Sequence, residues 1–321
     1  MNNFKKIGMT ALAASLVSTS VFAGEMAVSG SASMAMEGHS GGDNLHKGTS
    51  FSMGNQLTFS GSGELDNGMT VSLSFIIDQN DDSNATTSSP FDSHSVSISS
   101  DAMGTLVMHG EGGSSAQAAL DTTAAGDIWD TFDGTTTGVA VKSSTSGADI
   151  LVYTLPSMVD GLSVSASYSP QQATATSQNA YGLTYTGVEG LSASYGKGDA
   201  STGTSGTEAD ATTMKASYAY GSFTIAYSNN DFQSAEANKD QETTSYKLSY
   251  TVSDAISVSY GQEEIKLEGD SDEAEYEKFS ASYTSGGMTV TATQASSKDG
   301  LHGTTDLEDR DYWSLGLSFA F

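Results

Sequence analysis

The chain has 321 residues, with 12 lysines and arginines against 39 acidic residues, no cysteine and a formal charge of −27. Nucleic acids and anionic membrane surfaces bind clustered lysine and arginine, so this charge balance argues against both as partners. Without cysteine, the chain can form no disulfide, no Cys-ligated zinc site and no thiol nucleophile.

Residues 1–23 are typical of a secretory signal peptide. They carry Lys5 and Lys6, continue through an apolar stretch, and end at Ala23 with small residues spaced for cleavage. The apolar stretch is too short for a membrane anchor, because a spanning helix requires roughly 20 apolar residues. Removal of this segment leaves ten basic against 39 acidic residues, a formal charge of −29. Residues 24–321 are predicted to form one domain.

From residue 24 onward, apolar and small polar side chains alternate with the period of two that is typical of β-strands. Leu162, Val164, Ala166 and Tyr168, for example, alternate with four serines. The same pattern recurs at residues 191–195, 214–220, 246–250, 256–260, 279–283 and 313–321. A soluble β-sandwich alternates in the same way, so this pattern alone does not distinguish a sandwich from a barrel.

The connections between these stretches alternate strictly between short and long. Seven are short turns, at residues 64–68, 101–104, 156–161, 187–190, 219–222, 252–255 and 285–287. Eight are long and polar, at residues 37–50, 78–92, 111–147, 169–179, 196–211, 228–243, 262–275 and 295–310. An even strand count, with short turns at one rim and long loops at the other, is typical of outer-membrane barrels. The sequence therefore predicts an all-β fold, a 16-stranded antiparallel transmembrane β-barrel.

Tyrosines on the apolar face support a membrane location. Seven of them fall at the ends of predicted strands: Tyr168, Tyr195, Tyr220, Tyr227, Tyr250, Tyr260 and Tyr283. Aromatic side chains at that height are typical of the interfacial girdles of membrane barrels. The opposite face of each strand is rich in serine and threonine, which suits the wall of a water-filled channel.

Several stretches resemble the Gram-negative general porin family, and the resemblance covers nearly the whole chain after residue 23. Residues 26–30 are similar to the first strand of the family, 57–69 to its first hairpin, 103–108 to the strand before the pore loop, 152–162 to the following hairpin, and 313–321 to its terminal strand. Such barrels are recognised by the assembly machinery through the terminal strand, which assigns Trp313, Phe319 and Phe321 to an assembly signal.

The resemblance implies an outer-membrane channel, usually a homotrimer, in contact with outer-membrane lipid and lipopolysaccharide. Its third long loop, here residues 111–147, is expected to fold inward and narrow the channel. Four acidic residues would form the pore constriction: Asp121, Asp127, Asp130 and Asp133. Three apolar residues would anchor the loop against the wall: Ile128, Trp129 and Phe132.

The sequence departs from the family in its basic residues. Many members face the acidic loop with arginines that begin where the fifth strand ends, but here that position reads His109-Gly110. Charge on the pore wall would instead come from Lys142, Lys215, Lys247 and Arg310. With so few basic groups, we expect a passive, water-filled channel for small hydrophilic solutes and ions that prefers cations.

Three other functions are considered: a hydrolase, a metal-binding protein and an adhesin. A hydrolase requires a placed nucleophile and base, and the five histidines lie in or beside predicted loops without such a signature, so we expect no enzyme. The acidic runs at residues 78–82 and 268–275 do not continue as an EF-hand, so no metal site or cofactor is predicted, although weak Ca²⁺ binding by these loops stays open. A secreted or surface-attached β-rich adhesin without a channel is the alternative function.

Overall fold

The computed structural model describes residues 26–41, 48–78, 92–132, 140–171, 176–201, 208–270, 272–300 and 309–321. The predicted signal peptide and Asp133 lie outside these residues. Sixteen strands form a closed barrel in which every neighbouring pair is antiparallel. In chain order they are β1 Met26–Gly41, β2 Gly48–Glu64, β3 Thr70–Asp78, β4 Ser93–Ser100, β5 Gly104–Glu111, β6 Ile150–Thr154, β7 Leu162–Ser169, β8 Gln178–Tyr185, β9 Leu191–Ser201, β10 Glu208–Tyr220, β11 Phe223–Ser234, β12 Gln241–Ser253, β13 Ile256–Leu267, β14 Ala274–Ser285, β15 Met288–Lys298 and β16 Arg310–Ala320.

The strand count and the alternation of short and long connections confirm the predicted architecture. Strand β16 pairs with β1, which closes the sheet and places Met26 and Phe321 at the rim of the short turns. We call this end of the barrel the turn rim and the opposite end the loop rim. None of the helices in the described part of the chain is long and apolar enough to cross a membrane.

The two faces of each strand carry opposite kinds of side chain. On β11, Phe223, Ile225 and Tyr227 are exposed at 53%, 57% and 40%, whereas Ser228 and Asn230 on the other face are buried. A row of large apolar groups on the outside is unfavourable in water and favourable in hydrocarbon. The outward face is therefore the lipid face, and the inward face is the polar wall of the lumen.

The strands between β9 and β15 extend further toward the loop rim than the sequence predicts. Residues 228–243, predicted as one long loop, contain the ends of two strands, and only residues 235–240 connect them. The ladder continues through pairs such as Ala211 with Phe232 and Thr243 with Ile265. Here the outward side chains become polar while the inward ones stay buried, so the apolar alternation that marks a membrane strand ends before the strand does.

The outer surface of the barrel differs from one side to the other. The outward faces of β1, β2 and β3 carry no charged side chain, and Met34, Met36, Phe51 and Met53 are exposed there. Above the apolar belt of β9 to β14, by contrast, the outward side chains are largely acidic. We call this band the acidic collar: Asp199, Asp210, Asp231, Glu242, Glu264, Glu275 and Glu277.

Candidate functional site

A long connection between β5 and β6, residues 112–149, folds into the barrel, and we call it the inward loop. Its described parts contain a short two-stranded ribbon, Gly113–Ser114 with Ser146–Gly147, and two 3-10 helices, Ala118–Leu120 and Ile128–Phe132. The loop contacts the inward face of the wall, and Ile128 is fully buried. This is the loop that the sequence predicts to narrow the channel.

Polar side chains of the wall satisfy the main chain of the inward loop. The backbone N–H groups of Ala124 and Ala125 donate to Ser228 Oγ at 2.8 Å and Ser245 Oγ at 2.9 Å. We call the set of wall residues that bind the loop main chain in this way the seam: Ser167, Ser228, Asn230, Ser245 and Glu263. Buried peptide groups need partners, and the hydrogen bonds within the loop satisfy only some of them, so the seam makes the buried position of the loop possible.

Glu263 is the one acidic member of the seam and is fully buried. Its carboxylate accepts a hydrogen bond from the Thr123 hydroxyl and another from the backbone N–H of Trp129, at 3.1 Å. Two hydrogen bonds within the loop also join Thr123 to Asp127. Asp127 Oδ1 accepts from the backbone N–H of Thr123 at 2.9 Å, and Thr123 Oγ1 accepts from the backbone N–H of Asp127 at 2.8 Å. Glu263 therefore holds both ends of the segment 123–129.

The wall also makes room for the loop by omitting side chains. A Cβ on Gly261 would lie 2.7 Å from Ala125 Cβ, and one on Gly182 would lie 2.6 Å from the Ala116 carbonyl oxygen. Carbon atoms do not approach that closely, so both strands need glycine where the loop touches them. Neither Gly182 nor Gly261 was given a role from the sequence.

The three predicted anchoring residues lie together against the wall. Ile128 and Phe132 belong to a buried cluster with Ile265 and Tyr276, and Trp129 packs at its edge. The rings of Phe132 and Tyr276 stack with centroids 5.9 Å apart. This cluster holds the second short helix of the inward loop to β13 and β14 by apolar contact.

Asp121, Asp127 and Asp130 lie on the described part of the inward loop. Burial raises the pKa of Asp121 above its ordinary value, so its carboxylate takes up a proton at milder acidity than an exposed aspartate. Two lysines of the wall reach the loop from the side on which it packs: Lys215 Nζ donates to the Thr122 carbonyl and Lys278 Nζ to the Gly126 carbonyl at 3.2 Å.

The predicted wall charges occupy different environments. Lys215 and Lys247 face the lumen on β10 and β12, and sequence analysis missed their neighbour Lys278 on β14. The guanidinium of Arg310 on β16 is buried and donates to the Phe132 carbonyl at 3.1 Å, and its contribution to the charge of the pore wall stays a prediction. Lys142 lies on the inward loop, within the bounds predicted for it, where its Nζ donates to the Lys239 carbonyl at 2.8 Å and lies 5.1 Å from the Phe232 ring centroid.

The wall strands β1 to β5 carry no lysine or arginine. Their inward face is dominated by hydroxyl groups: Ser31, Ser33, Ser50, Ser52, Thr58, Ser60, Ser72, Ser74, Ser95, Ser97, Ser99 and Thr105. Glu37 is an inward acid on this side, and it accepts hydrogen bonds from Ser50 Oγ at 3.3 Å and Tyr312 OH at 3.1 Å. The described lysines of the wall therefore all lie on the side to which the loop is bound.

The residues of the predicted assembly signal lie on or beside β16, the strand that closes the barrel. Phe321 exchanges two backbone hydrogen bonds with Gly30 of β1, at 2.8 Å and 3.0 Å. Trp313 lies against Gly38 and is 42% exposed on the outward face, whereas Phe321 is 72% exposed. Recognition of these side chains by an assembly machinery stays a prediction.

The acidic run at residues 268–275 is largely engaged by other groups. Lys266 forms an ion pair with Glu273, Lys298 lies 3.8 Å from Glu275, and Glu268 accepts from the backbone N–H of Asn238 at 2.7 Å. Across the described ranges, no group of three or more acids or histidines could hold a metal ion. The run at residues 78–82 lies mostly outside the described residues.

Comparisons with known proteins agree with this geometry. Among solved structures, the anion-selective porin from Comamonas acidovorans superimposes with a TM-score of 0.69 at 18% identity, covering 93% of this chain and all of that one. OmpF of Salmonella typhi, in complex with daunomycin, gives 0.69 at 13% identity over 93% of this chain and 98% of that one. A loop-deletion mutant of OmpT from Vibrio cholerae gives 0.69 at 14% identity, over 93% and 99%.

These likenesses show the fold, and the sequence shows the family. No curated protein matches the chain. The family model described as Gram-negative porin matches residues 8–284, which is most of the chain. An adhesin without a channel has no support in any of these findings. The chain therefore belongs to the Gram-negative porin family and is a diffusion channel of the outer membrane.

Proposed function

We propose that this channel passes small hydrophilic solutes and ions by passive diffusion and that it prefers cations. The observation that carries the proposal is the inward loop, which holds Asp121, Asp127 and Asp130 inside the barrel while the wall strands β1 to β5 offer no basic side chain. A barrel of 16 strands is wide enough for an aqueous channel, and a loop bound inside it narrows that channel.

The sign of the preference follows from the charges along the path. Carboxylates near a narrow passage with low-dielectric walls raise the local concentration of cations and repel anions. The formal charge of the chain, −27, acts in the same direction at the mouths of the channel. Family membership alone does not fix the sign, because the compared porin from Comamonas acidovorans is anion-selective.

The reversal potential in a salt gradient tests this proposal. We expect purified channels in a planar bilayer with a salt gradient to give a reversal potential whose sign shows that cations are more permeant than anions. The preference should weaken as salt rises, because the Debye length shortens to about 3 Å at 1 M. A reversal potential of the opposite sign would contradict the cation preference while leaving the channel itself established.

We infer that three barrels associate through the outward faces of β1, β2 and β3. The uncharged, apolar outer surface on these strands supports this, because a second barrel can pack against it, whereas the carboxylates of the acidic collar on β9 to β14 would repel those of a neighbouring barrel. Association through Met34, Met36, Phe51 and Met53 would bury side chains that are exposed in the single barrel.

The mass of the folded protein in detergent tests the trimer. We expect three times the mass of one chain before heating and a single chain after it. Phe51→Glu, which places a charge at a side chain 85% exposed on the single barrel, should shift the unheated species to the single-chain mass. Tyr220→Glu, at an outward position remote from these strands, should leave the trimer intact; a single-chain mass for the unheated wild type would refute the trimer.

A further inference from the structure

A cavity of about 840 Å³ lies at the turn rim, between two neighbouring turns. One side is the turn between β2 and β3, with Asn67 and Met69, and the other is the turn between β4 and β5, with Asp101 and Met103. This volume falls within the range of about 300–1,000 Å³ that is usual for sites that bind small molecules. None of the residues that line the cavity belongs to the inward loop, so it is separate from the constriction.

The floor of the cavity is a row of polar side chains on the lumen face. Glu64 of β2 pairs with Thr70 of β3. Thr70 pairs with Ser99 of β4, which pairs in turn with Thr105 of β5. Paired residues share a face and neighbouring strands lie about 4.8 Å apart, so these side chains form an evenly spaced line. The line presents three hydroxyl groups to the lumen, with one carboxylate at its end.

Hydrogen bonds fix the shape of the two turns. The backbone N–H of Leu65 donates to the Met69 carbonyl at 2.7 Å, which closes the first turn. In the second turn, the backbone N–H of Met103 donates to Ser100 Oγ at 3.1 Å, and the Met103 carbonyl accepts from the Tyr153 hydroxyl at 2.5 Å. The cavity is therefore formed before a solute enters it, and binding does not have to order its walls.

The carboxylates of Glu64 and Asp101 are available to a solute. Neither side chain forms a hydrogen bond or an ion pair with any residue that the structure describes. The turns of this rim contain no lysine or arginine that could neutralise them. Asn67 Oδ1 accepts from the backbone N–H of Met69 at 3.1 Å, which leaves the NH₂ group of the amide to donate. Two negative charges beside hydroxyl and amide groups complement a cation that carries several hydroxyl groups.

We propose that this cavity is a transient binding site for hydroxylated organic cations, a class that includes amino sugars in their ammonium form. The ammonium group pairs with the carboxylates of Glu64 and Asp101, and the hydroxyl groups of the solute exchange hydrogen bonds with Thr70 and Ser99. This inference rests on the proposed function, because the solute reaches the turn rim through the barrel. It names a class of solute that a cation-preferring passage admits and holds briefly before release.

Protonated glucosamine, added to both sides of a planar bilayer, tests the site through the interruptions it causes in the single-channel current. We expect brief interruptions of the wild-type current, and shorter ones with glucose, which has the hydroxyl groups without the charge. Glu64→Gln combined with Asp101→Asn should shorten the residence time of glucosamine about fivefold, the order expected for the loss of two exposed ion pairs. Asp160→Asn combined with Glu189→Gln is the matched control, because it removes the same charge from two turns of this rim that do not line the cavity.

The outcomes separate this inference from the proposed function, whose reversal potential is measured without glucosamine. A wild-type protein without conductance steps would overturn both. Wild-type steps would leave the channel in place, and three results would then overturn the site: equal interruptions by glucose and glucosamine, an unchanged residence time in the double variant, or an equal change in the control. If the double variant does not assemble, Asp101→Asn alone replaces it, because this side chain is exposed on a turn: a shorter residence time supports the site, and an unchanged one overturns it.

Discussion

Glu263→Ala channels are expected to lose the single fixed conductance of the wild type and to conduct in larger, fluctuating steps. The buried carboxylate accepts from the Thr123 hydroxyl and the Trp129 amide, and alanine leaves both donors without that partner. A buried donor without a partner costs about 1–3 kcal/mol, so two of them favour release of the segment 123–129 from the wall. Single-channel recording measures the step size, and cleavage of the loop by added protease measures its release.

The neighbouring residue provides the control for this substitution. Glu264 follows Glu263 on β13 but faces outward, where it accepts from Gln262 Nε2 at 3.2 Å. Glu264→Ala removes the same side chain from the same strand without touching the inward loop, and its steps should match those of the wild type. Wild-type steps and wild-type protease resistance in Glu263→Ala would show that the serines and glycines of the wall hold the loop without the carboxylate.

Tyr276→Ala is expected to produce the largest loss of stability among substitutions of the wall. The ring is 1% exposed, packs against Phe132 and Ile265, and donates its hydroxyl to the Gly300 carbonyl at 3.1 Å. Truncation of a buried aromatic side chain costs about 3–5 kcal/mol, because the surrounding structure closes only part of the cavity. Urea unfolding of the barrel in detergent micelles should show this loss as a lower midpoint.

Phe279 on the same strand is the matched control for Tyr276. It faces outward and is 52% exposed, so Phe279→Ala removes an aromatic ring from the lipid face and leaves the contacts of the inward loop intact. We expect a smaller shift of the midpoint and an unchanged conductance. An equal shift in both variants would mean that the two faces of β14 contribute alike, which would contradict a special role for the buried cluster.

The barrel could be predicted because its signal is local. Alternation such as that of Leu162, Val164 and Ala166 depends only on which side chains meet hydrocarbon, and the short turns are contained in a few residues each. The ends of the strands were harder, because Asn229, Asp231 and Gln233 extend β11 above the apolar belt with polar groups outward. A strand beyond the hydrocarbon has no apolar face to mark it, so sequence analysis assigned those residues to a loop.

The site was predictable only where the family resemblance supplied it. Ile128 and Phe132 were recognisable as apolar residues within a polar loop, but nothing near Glu263 distinguishes it from Glu264. Its role depends on contact with Thr123, which is 140 residues away. Ser228 falls within the predicted loop 228–243 and Ser245 was given no role, because the burial of both is created by a loop that is distant in sequence. The contact of Arg310 with the Phe132 carbonyl could not be predicted, because it is set by tertiary structure.

The seam binds the inward loop mainly through backbone groups. The position of the loop and the charge of its side chains therefore depend on different residues. The groups held at Ser228 and Ser245 are the backbone N–H groups of Ala124 and Ala125, so these two hydrogen bonds do not depend on side-chain chemistry, although the space around both alanines admits only small side chains. Replacements at exposed loop side chains can therefore alter the charge of the passage while the backbone hydrogen bonds to Ser228 and Ser245 are kept. The wall therefore determines where the loop sits, and exposed loop side chains determine part of the charge of the channel, so substitutions in the loop can change solute preference while the fold is kept.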